Sequence, residues 1–268
     1  MKTNKTQSKL IVGNWKMNLT VHEASVLLHQ LMHALPASKM ERVDVAVAPP
    51  MIALQSLHMQ AEHSKIKLAA QNFHWRDHGS VTGEVSAWQL RGIAAYGIVG
   101  HSERAQFGET MTTSALKVQA ALRNHITPIL CVGETAEQHH RDDALQIIQQ
   151  QVKAGLAHVT ADEASGVIIA YEPIWAVGSG RVAMPSDIAR VVAGIRDQVA
   201  DLFGRQAAAA LRVLYGGSVT AEVVRPLLSV PGVDGLLIGA ASRKPAEFIR
   251  IVETANEASQ EGGKDDRY

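Results

Sequence analysis

Eight short apolar runs, a few tens of residues apart and each followed by a segment of helical period, constrain this chain most. They are Leu10-Ile11-Val12, Val43 to Ala48, Leu68-Ala69-Ala70, Tyr96 to Val99, Pro128 to Val132, Val167 to Tyr171, Arg212 to Tyr215 and Gly235 to Ile238. None alternates apolar with polar side chains, so each predicts a strand covered on both faces, as parallel sheets are. Between the runs the period changes. Ala24, Leu27, Leu28, Leu31 and Leu35 share one helical face, as do Leu145, Ile148, Val152 and Leu156. Ile188, Val191, Val192, Ile195, Val199 and Leu202 form a third such stripe. Eight strand–helix units predict an α/β fold, a closed (β/α)8 barrel of parallel strands ringed by helices. Periodicity alone leaves a doubly wound open sheet as the alternative.

No Pro- or Ser-rich linker divides the 268 residues, and single barrels run to roughly 250 residues. The expectation is one domain over 1–268, with 1–8 and 260–268 as flexible tails. The 26 basic and 26 acidic side chains cancel, which argues against a nucleic-acid or membrane-surface partner. Cys131 is the only cysteine, so no intrachain disulfide can form. The start, Met1 to Lys9, is polar, and no run approaches the ~20 apolar residues of a membrane span. Together these predict a soluble cytoplasmic protein.

Chemistry in a parallel barrel collects at the carboxyl ends of the strands. Those ends carry Asn14 and Lys16 after the first run and His101, Ser102 and Glu103 after the fourth. Glu172 follows the sixth, Gly216-Gly217-Ser218 the seventh, and Gly239-Ala240 the eighth. Taken singly, each has a plain explanation: a solvated lysine, a structural histidine, a capping or ion-paired glutamate, ordinary turns. Taken jointly, a cation, an imidazole, a carboxylate and glycine turns suit a small anion whose charge moves during reaction. Glu172 lies among Tyr171, Ile174 and Trp175, where desolvation makes a carboxylate a better proton acceptor. The loop behind it, with Gly178 and Gly180, could move as a lid.

Other signals lead nowhere. His139-His140 has no Cys or carboxylate partner at ligand spacing, and His74 with His78 is only a loose pair, so no metal is expected. Gly178-Ser179-Gly180 is not a nucleotide fingerprint. The segment 73–84 is long for a loop and carries Phe73, Trp75 and Val81. Exposed apolar groups of that kind need a cover; a partner subunit is the simplest one, and a loop folded on the protein's own surface is the alternative.

The segments Val12 to Asn18 (VGNWKMN), Val99 to Arg104 (VGHSER), Ala170 to Gly178 (AYEPIWAVG) and Leu214 to Val219 (LYGGSV) closely resemble the triosephosphate isomerase family. Cys131 to Glu134 and Thr82 to Ser86 fit as well, and the match runs in order from about Leu10 to about Ile251. The resemblance implies a TIM barrel and cofactor-free interconversion of dihydroxyacetone phosphate and glyceraldehyde 3-phosphate, in glycolysis and gluconeogenesis. It makes Glu172 the base, neutral His101 the electrophile, Lys16 the source of positive charge and Asn14 a polar contact. A carboxylate base beside a neutral histidine is the standard illustration of acid–base tuning in this family. The resemblance further implies a phosphate grip by Gly178, Ser218, Gly239 and Ala240, and a supporting role for Glu103. A homodimer is implied through loop 73–84, with Thr82 reaching toward the partner's site. Three positions depart from the family pattern: Ala240 replaces a glycine, Ala105 an arginine, and Ser179 a threonine. A sister isomerase for four-carbon ketose phosphates is the nearest rival, and a catalytically dead scaffold barrel is another.

Overall fold

A computed structural model describes residues 8–141, 143–178 and 180–261. The eight apolar runs form eight parallel strands: β1 (Lys9–Asn14), β2 (Val43–Ala48), β3 (Lys67–Ala70), β4 (Tyr96–Val99), β5 (Thr127–Val132), β6 (Ile168–Tyr171), β7 (Arg212–Gly217) and β8 (Gly235–Ile238). They pair in sequence order, and β1 also pairs with β8, with Ile11 opposite Val45 and Leu236. The sheet therefore closes into a barrel, and the open-sheet alternative falls.

Closure explains the missing polar alternation. Side chains alternate along a strand, but both faces of this sheet are dry. Leu10, Val12, Ile98, Ile129, Ile168, Leu214 and Leu237 fill the barrel interior. Their neighbours Ile11, Val45, Val99, Leu130, Ile169, Val213 and Leu236 belong to a second core between sheet and helices. Each Leu or Ile so buried stabilises the fold by about 1.5–3 kcal/mol relative to exposure.

The predicted stripes lie on α1 (Val21–Ala34), α5 (Ala144–Gly155) and α6 (Pro185–Phe203), where Leu28, Ile148 and Ile195 are fully buried. The remaining helices are α2 (Met51–Ala61), α3 (Met111–Arg123), α4 (Ala136–His140), α7 (Arg205–Ala210), α8 (Val224–Leu228) and α9 (Pro245–Glu261). Starts are set locally. Thr20 and Glu23 form a reciprocal capping box at α1, Thr135 and Gln138 do so at α4, and Pro185 opens α6.

Two expectations need correction. Among the described residues no helix follows β3; residues 71–95 run as turns with one parallel bridge, His74 to Ser86. The glycines at 79, 83 and 92 all take positive φ there, which breaks helical continuation. In the same segment Phe73 needs no partner subunit. It is buried under Gly97, where a Cβ would lie 2.4 Å from the ring. Trp75 is half-buried and stacks on His74, with centroids 4.1 Å apart. Asp77 ties the loop down by accepting from Arg123 at 3.0 Å and Asn124 at 2.9 Å. The tip around Thr82 stays exposed.

The expected tails 1–8 and 260–268 lie outside the described residues except at three positions. Ser8 donates to Asp44 at 2.8 Å, and Gln260 and Glu261 end α9, so these belong to the fold. Ser179 also lies outside. No described helix is long and apolar enough to cross a membrane.

Candidate active site

Lys16 stands just past β1 with a backbone φ of 55°. This left-handed conformation costs a side-chain-bearing residue about 1–3 kcal/mol and persists only where its surroundings fix it. Asn14 Oδ1 accepts the Lys16 N–H at 3.0 Å, and the Gln71 amide donates to the carbonyls of Lys16 (2.9 Å) and Ala48 (2.8 Å). The ammonium so placed sits 2.5 Å from Glu103 Oε1. Gln71 escaped the sequence reading. Its one available signal was its place directly after the third strand.

His101 follows Gly100 at the end of β4 and is buried. The Glu103 N–H donates to its Nδ1 at 3.2 Å. A main-chain N–H can only donate, so Nδ1 accepts, the ring is neutral and its proton rests on Nε2. Glu109 holds this turn from behind by accepting from the Gly100 N–H at 2.9 Å, while pairing with Lys117 (2.5 Å) and Arg104 (3.1 Å). Burial pushes the Glu109 carboxyl up. The Lys117 ammonium, the Gly100 N–H and Arg104 outweigh burial and hold it below the usual carboxylate range. Ala105 in this turn is exposed, and its neighbour Arg104 pairs with Glu109.

Glu172 extends β6 by one residue, its N–H donating to the Val132 carbonyl at 2.8 Å. It lies between two glycines that cannot be replaced without movement. A Cβ at Gly133 would sit 1.8 Å from the Glu172 carbonyl oxygen, and one at Gly216 would sit 2.8 Å from its Cγ. The Gln151 side chain fixes Gly133 by bonding both its N–H (2.8 Å) and its C=O (3.0 Å). Glu172 is 3 % exposed, with Oε1 3.3 Å from His101 Nε2 and Oε2 3.5 Å from the Ser102 hydroxyl. Burial, and then the Glu172 charge, push the nearby Cys131 thiol well up, so it stays protonated.

A cavity of about 450 Å³ brings together Asn14, Lys16, His101, Glu172, Gly178, Ser218, Gly239 and Ala240, with Arg243 and Lys244 on its wall. Eight of the ten residues singled out from sequence therefore share one space. Glu103 reaches it through Lys16, and Thr82 does not line it. Ser218 has a further task in this geometry. Its hydroxyl donates to the Ala176 carbonyl and accepts from the Gly180 N–H, both at 3.1 Å, while Tyr215 OH accepts from the Ala183 N–H at 3.2 Å. Ala176, Gly180 and Ala183 are thereby held to the end of β7. Ala240 opens a short 3-10 turn (Ala240–Arg243) and is not among the residues with positive φ, so its methyl carries no backbone cost. Among the described residues no three His, Cys, Asp or Glu side chains converge to hold a metal.

A closed parallel barrel with a carboxylate, a neutral imidazole and an ammonium at its carboxyl-end mouth defines a class: barrel enzymes that move protons on a small anionic substrate. Comparison with known proteins narrows this. The family model for triosephosphate isomerase matches residues 9–255. The triosephosphate isomerase of Carboxydothermus hydrogenoformans is 44% identical over 245 residues, covering 91% of this chain and 97% of that one. Those of Trichlorobacter lovleyi and Clostridium acetobutylicum are 41% and 40% identical over 248 residues, covering 92% of this chain and 98% and 99% of theirs. The chain belongs to the triosephosphate isomerase family, and it is an isomerase.

Proposed function

We propose that this protein interconverts dihydroxyacetone phosphate and glyceraldehyde 3-phosphate, with Glu172 as the base and His101 as the electrophile. The observation that carries this reading is the 3.3 Å approach of His101 Nε2 to Glu172 Oε1 inside the cavity that Lys16 also lines. Glu172 takes a proton from the carbon beside the carbonyl, and the C–H electron pair becomes the enediolate double bond. The Nε2–H of His101 donates to the carbonyl oxygen as charge builds there, then recovers a proton from the neighbouring hydroxyl. Glu172 returns its proton to the other carbon, so no atom is gained or lost. Lys16 offsets the charge of both phosphate and enediolate, and Asn14 adds a polar contact. Backbone N–H groups at Gly178 and at the Gly239-Ala240 turn, with Ser218, grip the phosphate. Closure of segment 173–184 keeps water from an intermediate that can otherwise lose phosphate.

Comparing turnover on three- and four-carbon ketose phosphates tests the substrate. The expected result is kcat/KM at least about a hundredfold higher for the triose, since a mis-sized substrate displaces the reacting carbon from Glu172. Equal turnover would favour the sister-isomerase reading.

The reading includes a homodimer. Met17, directly after Lys16, is 96% exposed, and Phe107, ending the turn that carries Glu103, is 69% exposed. Apolar groups of that size beside a site fit a covering second copy, with the Thr82 tip as the reaching element. Dilution below the dimer dissociation constant is expected to abolish most activity; monomers in matched sedimentation runs that stay fully active would refute it. A cytoplasmic setting accords with the lone Cys131 thiol, buried and unpaired.

A further inference from the structure

Glu172 stands between two spaces. In front is the cavity that Lys16 lines; behind is a smaller one of about 180 Å³. His101 borders both, whereas Ser102, Ala105, Cys131 and Gln151 border the rear one and not the front. The two carboxylate oxygens divide accordingly. Oε1 meets His101 Nε2 at 3.3 Å, and Oε2 meets the Ser102 hydroxyl of the rear wall at 3.5 Å. The rear cavity reaches the surface at Ala105 and Thr110, both exposed, and at Ile174, which is 37% exposed. Position 105 departs from the family pattern, and its single methyl leaves this mouth open.

Once Glu172 has taken a proton from substrate, the shut lid keeps water from the front. Among the described residues of the rear wall no side chain is a free base. His101 Nδ1 already accepts the Glu103 N–H. Glu109 already accepts from Gly100, Ser114, Arg104 and Lys117. The Cys131 thiol, pushed up by burial and then by the Glu172 charge, keeps its own proton. Water is the remaining acceptor. The rear cavity has room for several molecules at roughly 30 Å³ each. The Ser102 and Ser114 hydroxyls donate to Glu172 and Glu109, and each keeps lone pairs that can accept from such a water.

We propose that this rear cavity is a water-filled proton exit, through which Glu172 trades the proton taken from substrate for one from solvent while the lid is shut. The carboxyl O–H bond breaks as water gains that proton, and a second water proton re-forms the O–H bond, so no charge is left behind. The rear cavity thereby sets how much of the substrate's own hydrogen reaches product, without setting the rate of turnover. The inference rests on the reading of Glu172 as the base.

The test uses dihydroxyacetone phosphate carrying deuterium in place of the hydrogen that Glu172 removes. It is turned over in ordinary water, the product is trapped as it forms, and mass spectrometry reads the fraction that keeps the label. Wild type is compared with Ala105→Leu, which fills the mouth, and with Ala105→Ser, which leaves it open. Because Ala105 lies outside the front cavity, leucine is expected to raise the retained fraction at least about threefold with kcat within about twofold. Serine should match the wild type. Damage to the base would slow the return of the proton, give exchange more time and lower the retained fraction, so a rise reports a blocked exit. A fraction that is unchanged or lower in the leucine variant would put the exchange at the front and overturn the proposal, as would a wild type that loses no label. Should leucine unfold the protein, Ala105→Met carries the same comparison. A wild type without isomerase activity would instead sink the reading beneath it.

Discussion

Glu172→Asp is expected to lower kcat by about three orders of magnitude while KM stays within about threefold. The carboxylate keeps its charge but withdraws by one methylene from a position fixed on three sides. Gly133 and Gly216 flank it with no room for a Cβ, and His101 Nε2 stands 3.3 Å away. Neither glycine can follow the shortened side chain, because Gln151 fixes Gly133 just past β5 and the β7 ladders hold Gly216. Steady-state kinetics with a check of fold by circular dichroism measures this. A raised KM with unchanged kcat would make Glu172 a binding group and remove the assigned base.

Lys16→Met is expected to lower kcat/KM by about 10³, through both terms. Methionine keeps the length and apolar stem, and a non-glycine residue already occupies the left-handed backbone position. The change therefore isolates the charge. KM should rise because the phosphate loses its cation, and kcat should fall because the enediolate loses it as well. The Gln71 amide and Asn14 Oδ1 hold the main chain of residue 16 and do not depend on the ammonium. A change below about twofold would return Lys16 to the solvated lysines of the surface.

The barrel was legible because every strand has two dry faces and every long helix has one. The eight runs predicted strand positions to within two residues at each end. The interval after β3 was misread, since its apolar residues serve a loop that packs Phe73 under Gly97, a contact 24 positions away in the chain. The reacting groups were legible for a similar local reason: Lys16, His101 and Glu172 each follow a strand end within a few residues. What holds them was not. Gln71 grips Lys16 from 55 positions away, Gln151 fixes Gly133 from 18, and Lys117 with Glu109 braces Gly100. Their side chains are ordinary polar residues in sequence and acquire meaning only when the barrel closes. His139, expected to have no carboxylate partner, has its Nδ1 3.4 Å from Glu134 Oε1, a contact of the same kind, five positions apart but dependent on how α4 leaves β5.

Solvent deuterium decides the central matter, which is proton abstraction by Glu172 from a ligand that His101 polarises and Lys16 holds. Purified protein in heavy water with dihydroxyacetone phosphate should place deuterium on the carbon beside the carbonyl, and Glu172→Gln should stop that exchange. Isomerised product free of solvent deuterium would mean a direct hydride shift, and unimpeded exchange in the glutamine variant would assign the base elsewhere.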